Sequence, residues 1–376
     1  MNRVIHSGNF TMGEEVKKFE EQFAAYIGTR FAVMVNSGSS ANLALLFALK
    51  YMKSTTLIEN CEIIVPTVSW STTFYPVSQA GFKLRFVDID LSTLNIDALQ
   101  IESNINEKTR AIFAVNLLGN PCNYSEIARI AKKYDLILIE DNCESLGATF
   151  STRLTGSLGL AGTHSFFYSH HICTMEGGMV TTDSEELAEN LRSVRAHGWT
   201  RGLPQKNYVH NLSQNHWEDL YRFVLPGFNL RPVELSGAIG QEQLKKFPKF
   251  LESRRKNAKV FQKLLNDSEH FLIQREEDSS SWFGFSIVLR EHLQGKRSNF
   301  LSVLQSEGVE TRPIVAGNFL RNPVIQHLNH VRQGDYDNAN YIHENGFFIG
   351  NHQLDLELAL QETVNILNKT AKELAG

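Results

Sequence analysis

Two adjacent histidines, His170 and His171, stand inside a polar run, Tyr168-Ser169-His170-His171-Ile172-Cys173-Thr174. Imidazole changes charge near neutral pH, so a histidine held rigidly in a cleft can take a proton and give it back. Upstream, Glu140-Asp141-Asn142-Cys143-Glu144 follows an apolar run at 136–139. A carboxylate at such a strand end can pair with a cationic ring nitrogen, or it can simply close a loop. Asn36-Ser37-Gly38-Ser39-Ser40 precedes an apolar helical segment. Small polar residues at a helix start leave backbone N–H groups that suit a phosphate. The same residues also serve as an ordinary helix cap. Cys61, Cys122, Cys143 and Cys173 are scattered, and none forms a C-x-x-C pair. They offer no local ligand set for a metal or an iron–sulfur cluster, and no metal site is expected.

The elements around these residues are legible from pattern. Apolar strands at 31–35, 62–65, 83–87, 110–115 and 136–139 alternate with helices at 41–51, 73–79, 96–103 and 125–134. This alternation indicates an α/β fold whose mainly parallel sheet is covered on both faces. Ligands on such sheets gather at the C-terminal strand ends, which is where Ser37, Asp141 and the His170 loop fall. Segments 163–167 and 178–182 read as strands that hold the histidine loop between them, a rigid mount for a reacting group. Residues 198–223 are polar and aperiodic, with Gly202 and Pro204, and read as a long excursion. A turn at 226–232 leads to a helix at 233–244, and Pro248 opens a second helix that runs to 265. The boundary is placed near Lys249. It gives a large domain over 1–248 and a smaller C-terminal α/β domain over 249–376, with strands at 282–289, 309–312 and 346–349.

With 376 residues and a net charge of −4, the chain can bury a large core and shows no basic run of the kind nucleic-acid binders carry. No apolar stretch approaches the ~18 residues of a membrane span. Residues 1–12 lack the charged-then-apolar layout of a signal peptide. A cytoplasmic protein is expected, with neither a membrane nor a nucleic-acid partner.

Ser37-Gly38-Ser39-Ser40-Ala41, Glu140-Asp141-Asn142-Cys143-Glu144, Ser165-Phe166-Phe167, Glu176-Gly177-Gly178-Met179-Val180 and Phe228-Asn229-Leu230-Arg231-Pro232 occur in that order. Together they resemble the DegT family of sugar-nucleotide aminotransferases and dehydratases, and the likeness runs through essentially the whole chain. The resemblance implies the aspartate-aminotransferase (fold-type I) scaffold and pyridoxal 5′-phosphate (PLP) or its amine form, pyridoxamine 5′-phosphate (PMP). Carried over residue by residue, it makes Asp141 the partner of the pyridine nitrogen and Trp70 the aromatic on the ring face. Gly38, Ser39 and Ser165 become phosphate ligands. Asn229 would reach the phosphate from a partner subunit, which implies a homodimer with shared sites. Glu144 stands where aminotransferase relatives often carry Gln and the dehydratase branch carries Glu. Arg231 matches a residue placed to hold the carboxylate of L-glutamate, a bidentate task that suits guanidinium.

In the family's aminotransferases a lysine occupies the position of His170 and holds PLP as a Schiff base. Imidazole is not a primary amine and cannot form that bond. Between Ala111 and Arg231 the only lysines are Lys132, Lys133 and Lys206, on an amphipathic helix and in the excursion. His170 therefore keeps acid–base chemistry at this point and gives up the covalent anchor. This pattern resembles the PMP-dependent 3-dehydratase branch, with His170 the catalytic base and His171 a supporting residue. The reaction implied is loss of the C3 hydroxyl from a nucleotide-linked 4-keto-6-deoxyhexose, favoured as GDP-4-keto-6-deoxy-D-mannose of the colitose pathway. Ammonia then leaves, and L-glutamate, converted to 2-oxoglutarate, restores PMP. One part of the branch carries an iron–sulfur cluster in a cysteine-rich segment beyond Gly198. Residues 198–228 here contain no cysteine, so the form without the cluster is expected. Met175 and Tyr168 depart from the family pattern. An aminotransferase and a non-catalytic binding protein on the same fold remain as alternatives.

Overall fold

The computed structural model describes residues 1–213 and 215–375. Its main sheet has eight strands in the order β1-β9-β8-β5-β4-β2-β3-β13. These are β1 (Phe31–Val35), β2 (Glu62–Pro66), β3 (Lys83–Val87), β4 (Thr109–Val115), β5 (Ile137–Asp141), β8 (Ala161–Ser165), β9 (Gly178–Thr182) and β13 (His330–Val331). A small hairpin, β6 (Thr149–Phe150) and β7 (Arg153–Leu154), lies between β5 and β8 in sequence. Only β9 runs against the others: it pairs antiparallel with β1 and with β8, and the remaining pairs are parallel. Every residue of β2 is buried and β4 is buried at all but one position, as strands covered on both faces require.

The covering helices are α1 (Asn2–Ser7), α2 (Glu14–Ile27), α3 (Gly38–Lys50), α4 (Ser71–Gln79), α5 (Ala98–Ile101), α6 (Tyr124–Lys133) and α7 (Glu185–Arg195). In α6 the apolar residues Ile127, Ile130 and Ala131 face the core, and Lys132 and Lys133 are exposed. One core cluster joins α3 and α7 to the sheet through Leu45, Leu49, Val65, Phe74, Val180 and Leu191.

The helices expected at 233–244 and 248–265 are one continuous helix, α9 (Glu234–Leu265), with Pro248 in its interior; the short α8 (His216–Asp219) precedes it. A proline there removes one helical hydrogen bond. Burial of Phe247, Arg254, Ala258, Phe261 and Leu265 continues at helical spacing through that point, and packing outweighs the lost bond. The expected boundary at 248/249 thus falls inside a helix.

Beyond it lies a four-stranded sheet in the order β10-β11-β14-β12, from Phe271–Ile273, Gly284–Leu289, Gly346–Gly350 and Thr311–Arg312. It is packed by α9, α10 (Arg297–Ser306) and α12 (Glu357–Ala375) around Phe261, Phe285, Phe300 and Leu367. The chain also returns from this part to the main sheet, where β13 pairs with β3 and Asp88 accepts from the N–H groups of Asn338 and Ala339 at the start of α11 (Asp337–Asn345). The expected strand at 282–289 begins only at Gly284, because Trp282 has φ +49°. Among the described residues, no helix is long and apolar enough to cross a membrane.

Candidate active site

The histidine loop hangs between β8 and β9, in register from Ala161 opposite Thr182 to Ser165 opposite Gly178. It is closed by backbone bonds from Phe166 N–H to the Gly177 carbonyl (2.9 Å) and from Thr174 N–H to the Phe166 carbonyl (3.0 Å). Phe166 is wholly buried under it, against Phe19 and Phe23. The loop leads His170 into a cavity of about 1190 Å³ between the strand ends of the main sheet and the four-stranded sheet. Gly38, Ser39, Trp70, Asp141, Glu144, Ser165 and His170 all line it, and no lysine does. Lys132, Lys133 and Lys206 are exposed elsewhere. Asn229 and Arg231 do not line it. They pair with each other on the surface, Arg231 Nε donating to Asn229 Oδ1 at 2.9 Å.

Each lining residue has a cause in its element. Ser37 caps α3, its Oγ accepting from Ser40 N–H at 3.0 Å, so Gly38 and Ser39 open the helix toward the cavity. A Cβ at Gly38 would lie 2.5 Å from Ser165 Cβ and 3.1 Å from Cys143 Sγ; only glycine lets this helix start approach β8 so closely. Trp70 precedes α4 and leaves 57% of its surface open, a large apolar face presented to the cavity. Asp141 ends β5. Its Oδ2 accepts from Asn42 Nδ2 (2.9 Å) and Thr73 Oγ1 (2.7 Å), and its Oδ1 accepts a longer bond from Cys143 N–H (3.2 Å).

The electrostatics follow from burial. Desolvation, then the positive charge of Arg254, pushes His170 down to about 4, so its imidazole is neutral at physiological pH. Its Nδ1 is shut from solvent and has no hydrogen-bond partner among the described residues. Phe283 packs edge-on against the His170 ring at 5.2 Å. His171 is buried and pushed well down by the same causes, with Nε2 3.1 Å from the Ser281 carbonyl. Burial pushes Glu144 up to about 7, with the Leu118 N–H (2.9 Å) opposing and Asp141 adding. Arg254 is held by the carbonyls of Trp282, Phe283 and Asn351.

This set suits a pyridoxal-type cofactor. An open helix start with hydroxyls suits its phosphate, an exposed indole suits its ring, and a carboxylate with one lightly bonded oxygen suits a pyridinium. An orphaned, neutral imidazole completes it. Sequence reasoning missed Phe283, Arg254 and the two donors on Asp141. Asn42 was within reach, one turn beyond Gly38 on the same helix. Phe283 and Arg254 come from distant segments and carry no local signal.

A mainly parallel sheet with one antiparallel strand, bearing such a cavity at its strand ends, is the PLP aminotransferase-like α/β fold. The chain belongs to the DegT/DnrJ/EryC1/StrS aminotransferase family, whose model matches residues 1–366. It is 51% identical over 355 residues to a GDP-4-keto-6-deoxy-D-mannose 3-dehydratase of Escherichia coli O55:H7, covering 94% of this chain and 92% of that one. It is 49% identical over 371 residues to the enzyme of that name from Yersinia pseudotuberculosis, covering 98% and 94%. A solved structure of E. coli GDP-4-keto-6-deoxy-D-mannose-3-dehydratase with bound hydrated PLP superposes with a TM-score of 0.95 at 49% identity, over 97% of this chain and 95% of that one.

Proposed function

We propose that this protein is a PMP-dependent 3-dehydratase that removes the C3 hydroxyl of GDP-4-keto-6-deoxy-D-mannose, with L-glutamate as amine donor, on the route to a 3,6-dideoxysugar of the colitose kind. The observation that carries this reading is a cavity lined by Gly38, Ser39, Trp70 and Asp141, with a neutral imidazole and no lysine among its lining residues. When bound, the cofactor supplies an amine for the sugar ketone and a ring that accepts electrons. Gly38, Ser39 and Ser165 would hold the phosphate, Trp70 would support the ring face, and Asp141 would pair with the ring nitrogen. The His170 imidazole would accept, on one of its own nitrogens, the proton released at the carbon that bears the cofactor's amine, and would return it to the C3 oxygen, which leaves as water. Phe283 and Phe167 restrict water around that imidazole. Glu144, held by the Leu118 N–H, lines the site beside Asp141.

Asn229 and Arg231 serve the site of a second copy in a homodimer, the first toward phosphate and the second toward the glutamate carboxylate. Their position on the surface, outside this chain's own cavity, supports that role. Residues 1–248 bind the cofactor, and 249–376 form the smaller domain that supplies the opposite wall. The cluster-free form of the reaction and a cytoplasmic location complete the proposal.

The test is incubation of the purified protein with PLP, L-glutamate and GDP-4-keto-6-deoxymannose. Ammonia, 2-oxoglutarate and a deoxygenated sugar nucleotide are expected. An amino sugar nucleotide as product would make the protein an aminotransferase. Borohydride trapping of PLP on the chain would refute the untethered cofactor.

A further inference from the structure

We propose that Asn42 and Thr73 are positioning residues that clamp the Asp141 carboxylate, so that the proton it shares with the cofactor stays on the ring nitrogen. This assignment rests on the role proposed above for Asp141. Both donors land on the same oxygen, Oδ2, at 2.9 and 2.7 Å. Asn42 and Thr73 are each 1% exposed, so water does not compete for those bonds.

The direction of each bond is fixed by its neighbours. The Asn42 amide Nδ2 also donates to the Thr72 carbonyl (3.1 Å), and its Oδ1 accepts from Thr163 Oγ1 (2.6 Å). Turning the amide over would set oxygen against two acceptors. Thr73 Oγ1 lies 2.8 Å from Ser69 Oγ. When Thr73 donates its single hydroxyl proton to Asp141, Ser69 must donate to Thr73. A relay Ser69 to Thr73 to Asp141 results, with Thr163 and Asn42 forming the other arm.

Two consequences follow. A carboxylate fixed through Oδ2 cannot rotate, and Oδ1 is left for the ring. Neutral donors on a carboxylate favour its ionised form, and in a dry pair this leaves the shared proton on the nitrogen. A protonated nitrogen is what makes the ring an electron acceptor. The clamp also ties α3, which carries Gly38 and Ser39, and α4, which follows Trp70, to the end of β5. The three points that would hold the cofactor become one unit.

The test uses full-length enzyme reconstituted with PLP isotopically labelled at the pyridine nitrogen, observed by NMR at neutral pH. In the parent protein the nitrogen is expected to be protonated. In Thr73→Val, a near-isosteric change, and in Asn42→Leu its signal is expected to move toward the unprotonated value. Thr73→Ser is expected to restore the parent signal. With sugar nucleotide, kcat of Thr73→Val is expected to fall about tenfold or more with KM unchanged, as loss of a bond to a charged group implies. A parent-like signal in Thr73→Val and Asn42→Leu, alongside a lost one in an Asp141→Asn control, would overturn the clamp. A parent-like signal in Asp141→Asn would overturn the role of Asp141 and the clamp with it. The wrong substrate would show only in the product assay and would leave the nitrogen signal as described.

Discussion

Acid should weaken this fold through one histidine, and the size of the effect can be worked out. His164 lies on β8, one residue before Ser165, and is 1% exposed. Its Nδ1 faces the Asn142 amide nitrogen at 3.3 Å, and its Nε2 lies 3.0 Å from Thr181 Oγ1. Asn142 also donates from Nδ2 to the Thr155 carbonyl, and its Oδ1 accepts from Asn116 Nδ2, which fixes the amide as a donor toward His164. Thr181 in turn donates to the Gly156 carbonyl, so its oxygen accepts from Nε2–H. Only the neutral ring satisfies both nitrogens, since a proton on Nδ1 would meet another donor. Burial holds the group down at about 3.

An unfolded histidine titrates near ~6.5, so between these values the unfolded chain binds the extra proton and stability falls as pH falls. The contribution is whole above about 6.5. Lowering the pH from ~7.5 to ~5 should remove about 2 kcal/mol through this residue. The assay is urea unfolding of the parent and of His164→Gln at both pH values. The parent should lose about 2 kcal/mol more than the variant. Equal losses in the two proteins would show that His164 is not held neutral by its surroundings, and the argument would fail.

Other predictions concern the cavity itself. Glu144→Gln keeps an oxygen for the Leu118 N–H and removes a charge that burial opposes. Because the carboxyl is raised to about 7, the parent loses stability as pH climbs from ~4.5. The cofactor-free variant should therefore be more stable by about 3 kcal/mol at pH ~8 and equal at pH ~4, read by urea titration. Gly178→Ala would place a Cβ 2.7 Å from Gly38 N and against the Ser37 carbonyl. The displaced helix start should cost about 1–3 kcal/mol, measured as weaker cofactor binding in a fluorescence titration. His170→Asn should lower kcat by about 10²–10⁴, while PLP still binds with near-parent affinity; loss of binding instead would make His170 a cofactor ligand and not a base. In the parent, the acid limb of kcat should lie near 4 rather than at an ordinary histidine value, because burial keeps His170 neutral above that point.

The alternation of buried strands and amphipathic helices was readable because a parallel sheet covered on both faces needs continuous apolar runs, and 63–65 and 111–115 are such runs. His170 and the missing lysine were readable too, since the chemistry of an amine or an imidazole belongs to the residue wherever it is placed. Pro248 misled, because a local rule about proline cannot register the long face that α9 buries on either side of it.

The sequence by itself determined which reactive groups exist and at which strand ends they arise. Only the tertiary structure decided what surrounds them. Asn42 meets Asp141 across 99 residues, Phe283 closes on His170 from the residue just before β11, and Asn229 and Arg231 are left outside the cavity. The reason is physical: burial and hydrogen-bond partners, which set charge state and orientation, are properties of the packed chain and of no segment in it.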